Sequence, residues 1–261
     1  MLQLAPVRQG SLTGDSMNGR DRSEQQLTGQ TVLVLGGSAG IGLETARRAR
    51  DEGADLILTA RGPDRLHAIG LELGASISAF DLSDTERLTR FFANLPGPVD
   101  HVLVSGAGPQ YVPFAELDIG KIRHGVERIV LSVQIARLAK DAMQPTGSLL
   151  LIGGTGGRRP SAGPLISAVT AAMPALARSL ALELAPIRVN VVAPGFVDTT
   201  LSAEILGAGL DARREQLRTN LPIRRVIGPE DVAALAIDLM KNTAITGATF
   251  DIDGGQQLIE G

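Results

Sequence analysis

The chain has no cysteine among its 261 residues, which excludes disulfides, thiolate nucleophiles and thiolate metal ligands. It has only three histidines, His67, His101 and His124, at none of the spacings by which imidazoles share a metal ion, so no metal site is expected. Tyr111 is its single tyrosine. No block of like charge appears: 25 lysines and arginines stand against 28 acids, a net charge of −3, and such a balance gives no long-range field for nucleic acid or an anionic membrane. Residues 1–26 are polar and rich in glycine and serine, without the apolar run of a signal peptide or the length of a membrane span. They are expected to form a flexible tail on a cytoplasmic protein, ahead of one domain over residues 27–261.

What is present is an alternation. Short apolar runs at 31–35, 55–59, 76–80, 99–104, 148–152, 188–192 and 249–252 are separated by helical patterns. Near-continuous hydrophobicity marks strands buried on both faces, and helical spacers imply right-handed crossovers, so the expected fold is α/β, a doubly wound three-layer sandwich around a seven-stranded parallel sheet. Ligands of such folds bind at the carboxyl edge of the sheet. The loosely patterned stretch 199–225 is expected to lay short helices over that edge.

The first strand runs into Gly36-Gly37-Ser38-Ala39-Gly40-Ile41-Gly42. Glycines at that spacing let the backbone turn tightly and bring a helix N-terminus against a pyrophosphate. A glycine-rich turn alone also occurs where strands simply end. Further landmarks follow in order: Asp81-Leu82 after the third strand, Ser105-Gly106-Ala107-Gly108 after the fourth, Pro194-Gly195-Phe196-Val197-Asp198-Thr199 after the sixth, then Gly228 to Ala233 and Thr246-Gly247 through Asp253-Gly254-Gly255.

This series resembles the short-chain dehydrogenase/reductase family from Leu27 to about Ile259. The resemblance implies a Rossmann-type fold and a nicotinamide cofactor on Gly36, Ser38, Ala39, Gly40, Ile41, Gly42, Asp81, Leu82, Ser105, Gly106, Ala107, Pro194, Gly195, Val197 and Thr199. Members preferring NAD place an acid at the end of the second strand. Here Ala60 occupies that place and Arg61 follows, so a 2′-phosphate meets a guanidinium and no carboxylate. NADP(H) is therefore expected over NAD(H), although Ala39 stands where many NADP-preferring members carry a second basic residue.

Departures from the family pattern cluster where its chemistry happens. In relatives a Tyr-x-x-x-Lys pair, a serine and an asparagine reduce carbonyls. Here the tyrosine position is Ile166, the lysine position Thr170, the serine falls at Gly153 or Gly154, and the asparagine near Val130. Neither isoleucine nor threonine can deliver a proton or lower a phenol's pKa. Leu35 replaces the phosphate loop's usual threonine, and the lost lysine, which grips the nicotinamide ribose in relatives, implies weakened cofactor binding. Pro174, in the same helix, withdraws the N–H that would bond the carbonyl of Thr170, so a kinked or loosened helix is expected.

Tyr111, just beyond Gly108 in a loop that lines the cleft of relatives, is the best single proton-donor candidate, against the favoured alternative of a phenol packed on the loop. Arg158 and Arg159 follow the fifth strand and are candidates for the anionic end of a small, largely apolar ligand, against the alternative of solvated loop charges. Three functions follow: a divergent NADP(H)-dependent oxidoreductase with weak activity; a non-catalytic ligand-binding protein or partner in a mixed oligomer; and a non-redox enzyme such as a cyclase or dehydratase. The helix over 163–185 is apolar nearly all round, which implies a second buried face. The resemblance implies that this helix pairs across a two-fold axis in a homodimer or homotetramer.

Overall fold

The structure, a computed structural model, describes residues 27–106, 108, 112–158 and 163–259. The expected tail, Ala107, Tyr111 and Arg159 lie outside the described residues. Seven strands, β1 (Thr31–Leu35), β2 (Asp55–Ala60), β3 (Ser76–Ala79), β4 (Val99–Val104), β5 (Met143–Ile152), β6 (Arg188–Pro194) and β7 (Thr249–Ile252), form one sheet in the order β3-β2-β1-β4-β5-β6-β7. All six pairings are parallel. The helices are α1 (Gly40–Asp51), α2 (Pro63–Leu73), α3 (Thr85–Ala93), α4 (Ile119–Ala139), α5 (Pro164–Glu183), α6 (Thr200–Leu206), α7 (Leu210–Asn220) and α8 (Pro229–Lys241). This is the doubly wound α/β sandwich read from the sequence.

Strands without alternation have two faces to bury, and two apolar clusters divide them. Leu33, Val102, Leu149, Leu151 and Val191 belong to the cluster that includes Ile135 of α4 and Met173 and Ala177 of α5. Val32, Val34, Leu103, Leu150 and Val192 belong to the other, with Ala46 of α1 and Val232 and Ala236 of α8. At about 25 cal/mol per Å² of apolar surface removed from water, these two layers are the main driving force for the fold.

One polar side chain within this interior is paired on both sides. His101, 3% exposed, lies between Ser148 Oγ, 2.8 Å from Nδ1, and Gln30 Oε1, 2.7 Å from Nε2. The amide oxygen assigns the ring proton to Nε2, and Nδ1 then accepts from the Ser148 hydroxyl. Burial, and secondarily the charge of Arg188, lower its pKa to about 4. The unfolded chain takes up a proton near the ordinary value of 6.5 and the folded chain does not, so stability is constant above pH 6.5 and falls as pH drops toward 4. Urea denaturation is expected to show a loss of about 3 kcal/mol between pH 7 and pH 4 from this residue, absent in His101→Gln. An equal acid loss in the variant would assign the effect to other groups.

Candidate functional site

The strand order reverses at β1, where chain-consecutive strands part to either side, and both loops that leave this crevice are built on Leu35. Its carbonyl accepts from Ser105 N at 2.9 Å and Gly106 N at 2.8 Å, while Gly36 N and Gly37 N donate to Thr59 O at 3.0 and 2.9 Å. A β-carbon on Gly36 would stand 2.6 Å from Gly106 N, and one on Gly42 only 2.1 Å from Gly36 O. Glycine is thus required at both positions so that the two loops and the first turn of α1 can nest. Gly40, at φ +51°, faces Thr199. No side chain caps the N-terminus of α1 from Ala39, and its first turn holds no acid. The positive end of the α1 dipole is left uncompensated beside the loop, which fits a pyrophosphate.

The rest of the expected cofactor rim gathers on the same edge. Arg61 leaves β2 exposed, close enough to Asp81 for its charge to matter there. Bonds from the Ser83 backbone and hydroxyl, both to Asp81 Oδ1, hold that carboxyl below its ordinary pKa, and Arg61 adds to the shift. Leu82 is buried against Gly106, whose added β-carbon would fall 2.5 Å from Leu82 Cδ1. Pro194 ends β6, Val197 bridges to Ile227, and Thr199 caps α6 in a reciprocal pair with Ser202. Asp198 takes a two-pronged bond from Arg214 of α7, 2.8 Å on each prong, which ties the two short helices to the strand end. Leu201 of α6 reaches Gly108 of the β4 loop, so the helices expected over 199–225 do lie across the crevice. Ser38, Ala39 and Ile41 sit at the same turn.

The positions that the sequence reading set against the family's serine and lysine lie side by side. A β-carbon on Gly154 would lie 3.2 Å from Thr170 Cγ2, so the two meet as an α-carbon and a methyl group. Thr170 is 9% exposed and its hydroxyl donates back to Ile166 O at 2.7 Å. Ile166 is half-buried one turn earlier on α5. Contrary to the loosening expected at Pro174, α5 runs unbroken from Pro164 to Glu183. One missing N–H does not outweigh the packing of Met173 and Ala177 in the core.

Two positions, Val130 and Arg158, sit differently from the sequence reading. Val130, placed near the asparagine position, is 61% exposed on α4. The residue of α4 that reaches the end of β5 is Arg128, half-buried, whose Nη1 donates to Ile152 O at 2.8 Å with Gly153 O at 3.5 Å. Arg158 is engaged with Asp251 of β7, Nη2 to Oδ1 at 2.8 Å and Nε to Oδ2 at 3.3 Å. This bond raises the guanidinium's pKa. Burial pushes Asp251 up, but bonds from Arg158 and Gln257 outweigh it and leave the carboxyl lowered. Arg158 is therefore a strut between the β5 loop and β7. His124 pairs with Glu127 at 2.7 Å on the exposed side of α4.

Two described cavities, of about 460 and 440 Å³, lie away from Thr170 and Gly154, one under β3 and α3 and one beside Arg48 and Arg225. The glycine crevice, placed by topology and loop chemistry, is the better candidate site.

Comparison with known proteins identifies the family. A family model described as enoyl-(acyl carrier protein) reductase matches residues 36–257. The chain is 29% identical over 258 residues to the short-chain dehydrogenase/reductase malC of Malbranchea aurantiaca, covering 91% of this chain and 98% of that one. The solved MalC reductase/Diels–Alderase superposes with a TM-score of 0.82 over 91% of this chain and all of that one. Dehydrogenase/reductase SDR family member 4 of Sus scrofa is 33% identical over 250 residues, 88% of each chain. The crystal structure of BdcA in complex with NADPH is 31% identical with a TM-score of 0.77, over 87% of this chain and 94% of that one. With the glycine crevice, the strand order and these matches in agreement, this chain belongs to the short-chain dehydrogenase/reductase family.

Proposed function

We propose that this protein binds NADP(H) in the glycine crevice and has little or no ordinary carbonyl reductase activity. The observation that carries the reading is a contrast within one site. The uncapped α1 N-terminus, the nested glycine loops and Arg61 beside Asp81 suit a phosphorylated dinucleotide. The Thr170 hydroxyl is turned onto its own helix. In this reading the first turn of α1 holds the pyrophosphate, Arg61 the 2′-phosphate, and Thr199 stands across from Gly40. NADPH brings a hydride when bound, and among the described residues Ile166 and Thr170, at the positions read against the family's Tyr-x-x-x-Lys pair, offer no group to deliver the accompanying proton. The NADPH held by BdcA supports the choice of cofactor. Binding is expected to be weak, since Thr170 cannot reach a ribose.

The test is calorimetry with both reduced cofactors. NADPH is expected to bind more tightly than NADH, and Arg61→Ala to narrow the difference by about 1–3 kcal/mol, the scale of a charge-assisted bond. Equal affinities in the wild type would sink the assignment of Arg61.

A second reading is favoured by one observation. The likeness to MalC, described as a reductase/Diels–Alderase, supports a non-redox ring closure in the same crevice, a reaction that asks for shape and a polar anchor and needs no tyrosine. Either function takes place in a homodimer. Ile119, Ile122, Val126, Val130 and Val133 follow one another by three or four residues along α4 and are 38–66% exposed, a continuous apolar stripe. The adjoining α5 is long and apolar enough to pass for a membrane span, yet it is packed against α4 and β6 within the fold. Sedimentation of Val126→Asp/Val133→Asp is expected to shift the protein to monomer, and an unshifted dimer would place the interface elsewhere.

A further inference from the structure

The outer edge of the sheet carries a recess of its own. β3 is the terminal strand, separated from β1 and the glycine crevice by β2, and a cavity of about 460 Å³ runs between it and α3. Its floor is the margin of the core cluster that α3 covers. Ile57 and Phe80 are buried members of that cluster, and Phe91 packs against it with its ring 5.3 Å from that of Phe80, at 44°. Ile77, an exposed residue of β3, adds a further apolar wall. A concave, mostly apolar space of this size suits a small molecule.

Two guanidiniums stand over this floor. Arg87 and Arg90 of α3 both line the cavity, and no acid is among the described residues that line it. Neither guanidinium forms an ion pair among the described residues. Arg87 Nη2 donates to Ala79 O at 3.1 Å, a neutral partner that orients the group and contributes no opposite charge. Residues three apart on a helix are neighbours, and two cations so placed repel each other unless an anion lies between them. The strand edge is open on the same side. Phe80 N donates to Ala60 O, so Phe80 and Ser78 turn their backbone groups toward β2, whereas Ile77 and Ala79 turn theirs outward, where Ala79 O meets Arg87. The Ile77 N–H is therefore a main-chain donor without a strand to receive it.

We infer that the cavity between β3 and α3 is a second ligand site, built for a small molecule with a flat apolar body and one carboxylate. The body rests on Phe91 and Ile77, and the carboxylate is held by Arg87 and Arg90, whose planar forks match its two oxygens. A neutral ligand of the same shape covers the floor but leaves the two cations unpaired. The site goes beyond the proposed function and does not rest on it, because none of its residues belongs to the cofactor rim.

The experiment is calorimetric titration of the full chain with naphthoate and with naphthamide, the same apolar body with and without the charge. Each titration is run with and without NADPH on wild type and on Arg87→Gln/Arg90→Gln. Naphthoate is expected to bind wild type and to bind the double variant about tenfold or more weakly, while naphthamide binds both alike. Saturating NADPH is expected to leave the naphthoate affinity unchanged. Equal naphthoate affinity in the two proteins, a naphthamide loss as large as the naphthoate loss, or no naphthoate binding to wild type at millimolar concentration would each overturn the inference. Displacement of naphthoate by NADPH would overturn it too, by placing the ligand in the glycine crevice. If the double variant fails to fold, Arg90→Gln takes its place, since that guanidinium supports no other described residue: weaker naphthoate binding with naphthamide unchanged upholds the site, and equal affinity overturns it. Failure of NADPH to bind either protein would overturn the cofactor reading alone, because the titrations without cofactor still judge Arg87 and Arg90.

Discussion

Ile166→Tyr combined with Thr170→Lys is expected to leave reduction of simple ketones and aldehydes about 10²–10⁴-fold below that of an intact family member, the range lost when a general acid is missing. The two residue types alone do not rebuild the site. Thr170 is 9% exposed, with its methyl group 3.2 Å from where a Gly154 side chain would begin, so a lysine there must push into space the β5 loop occupies. Burial would also lower the ammonium's pKa and weaken its hold on a neighbouring phenolate. Gly154 offers no hydroxyl to a substrate carbonyl, and Arg128 brings a second cation to the same strand end. Initial rates with NADPH on a panel of ketones check this; recovery to within tenfold of a normal member in the double variant would show that the proton-transfer geometry had been intact all along.

The second large effect is on stability. Arg188, at the start of β6 and 6% exposed, closes the C-terminus of α8: Nη1 donates to Leu239 O at 2.8 Å, Asn242 O at 2.9 Å and Ile245 O at 3.4 Å, and Nη2 to Met240 O at 2.8 Å. The last carbonyls of a helix have no partners within it, and here a buried guanidinium supplies them. Burial lowers the pKa of this arginine, because the charged form is disfavoured out of water. Arg188→Met would fill much of the volume but leave those carbonyls buried and unpaired. At about 1–3 kcal/mol for each unsatisfied group, with partial relaxation of the α8–β7 loop, a total loss of about 3–5 kcal/mol is expected in urea denaturation. A loss under about 1 kcal/mol would mean that water reaches the helix end as readily as the arginine does.

What the sequence disclosed followed from how local each signal is. Strands 31–35, 99–104 and 249–252 coincide with β1, β4 and β7, because a run buried on both faces is written in consecutive residues. β5 begins earlier than read, at Met143. That residue pairs with Val99, the register then slips past Pro145 to Gly147, and pairing resumes at Ser148 opposite His101, so a turn-like stretch hid a bulge inside one strand. The glycine loop was legible because its conformation depends on the residues in it. Arg158 and Arg128 were not. Arg158 meets a carboxylate 93 residues away, and Arg128 meets a strand end 24 residues away, contacts that only the packed sheet creates. An arginine in the middle of a half-apolar helix gives no local sign of whether it faces water or a cleft. The reading of Ile166 and Thr170 as a gap rests on a departure from a pattern, whereas the Thr170 hydroxyl folded back on Ile166 O needed coordinates.

The most direct test of a retained cofactor site without proton-transfer machinery is a single cuvette experiment on the wild-type protein. NADPH is titrated in while its bound-state fluorescence is followed, ketone and aldehyde substrates are then added, and the absorbance of the reduced nicotinamide is recorded. The expected result is saturable fluorescence from bound NADPH with no loss of reduced nicotinamide beyond the protein-free rate. Either rapid consumption of NADPH or the absence of any saturable signal would contradict it.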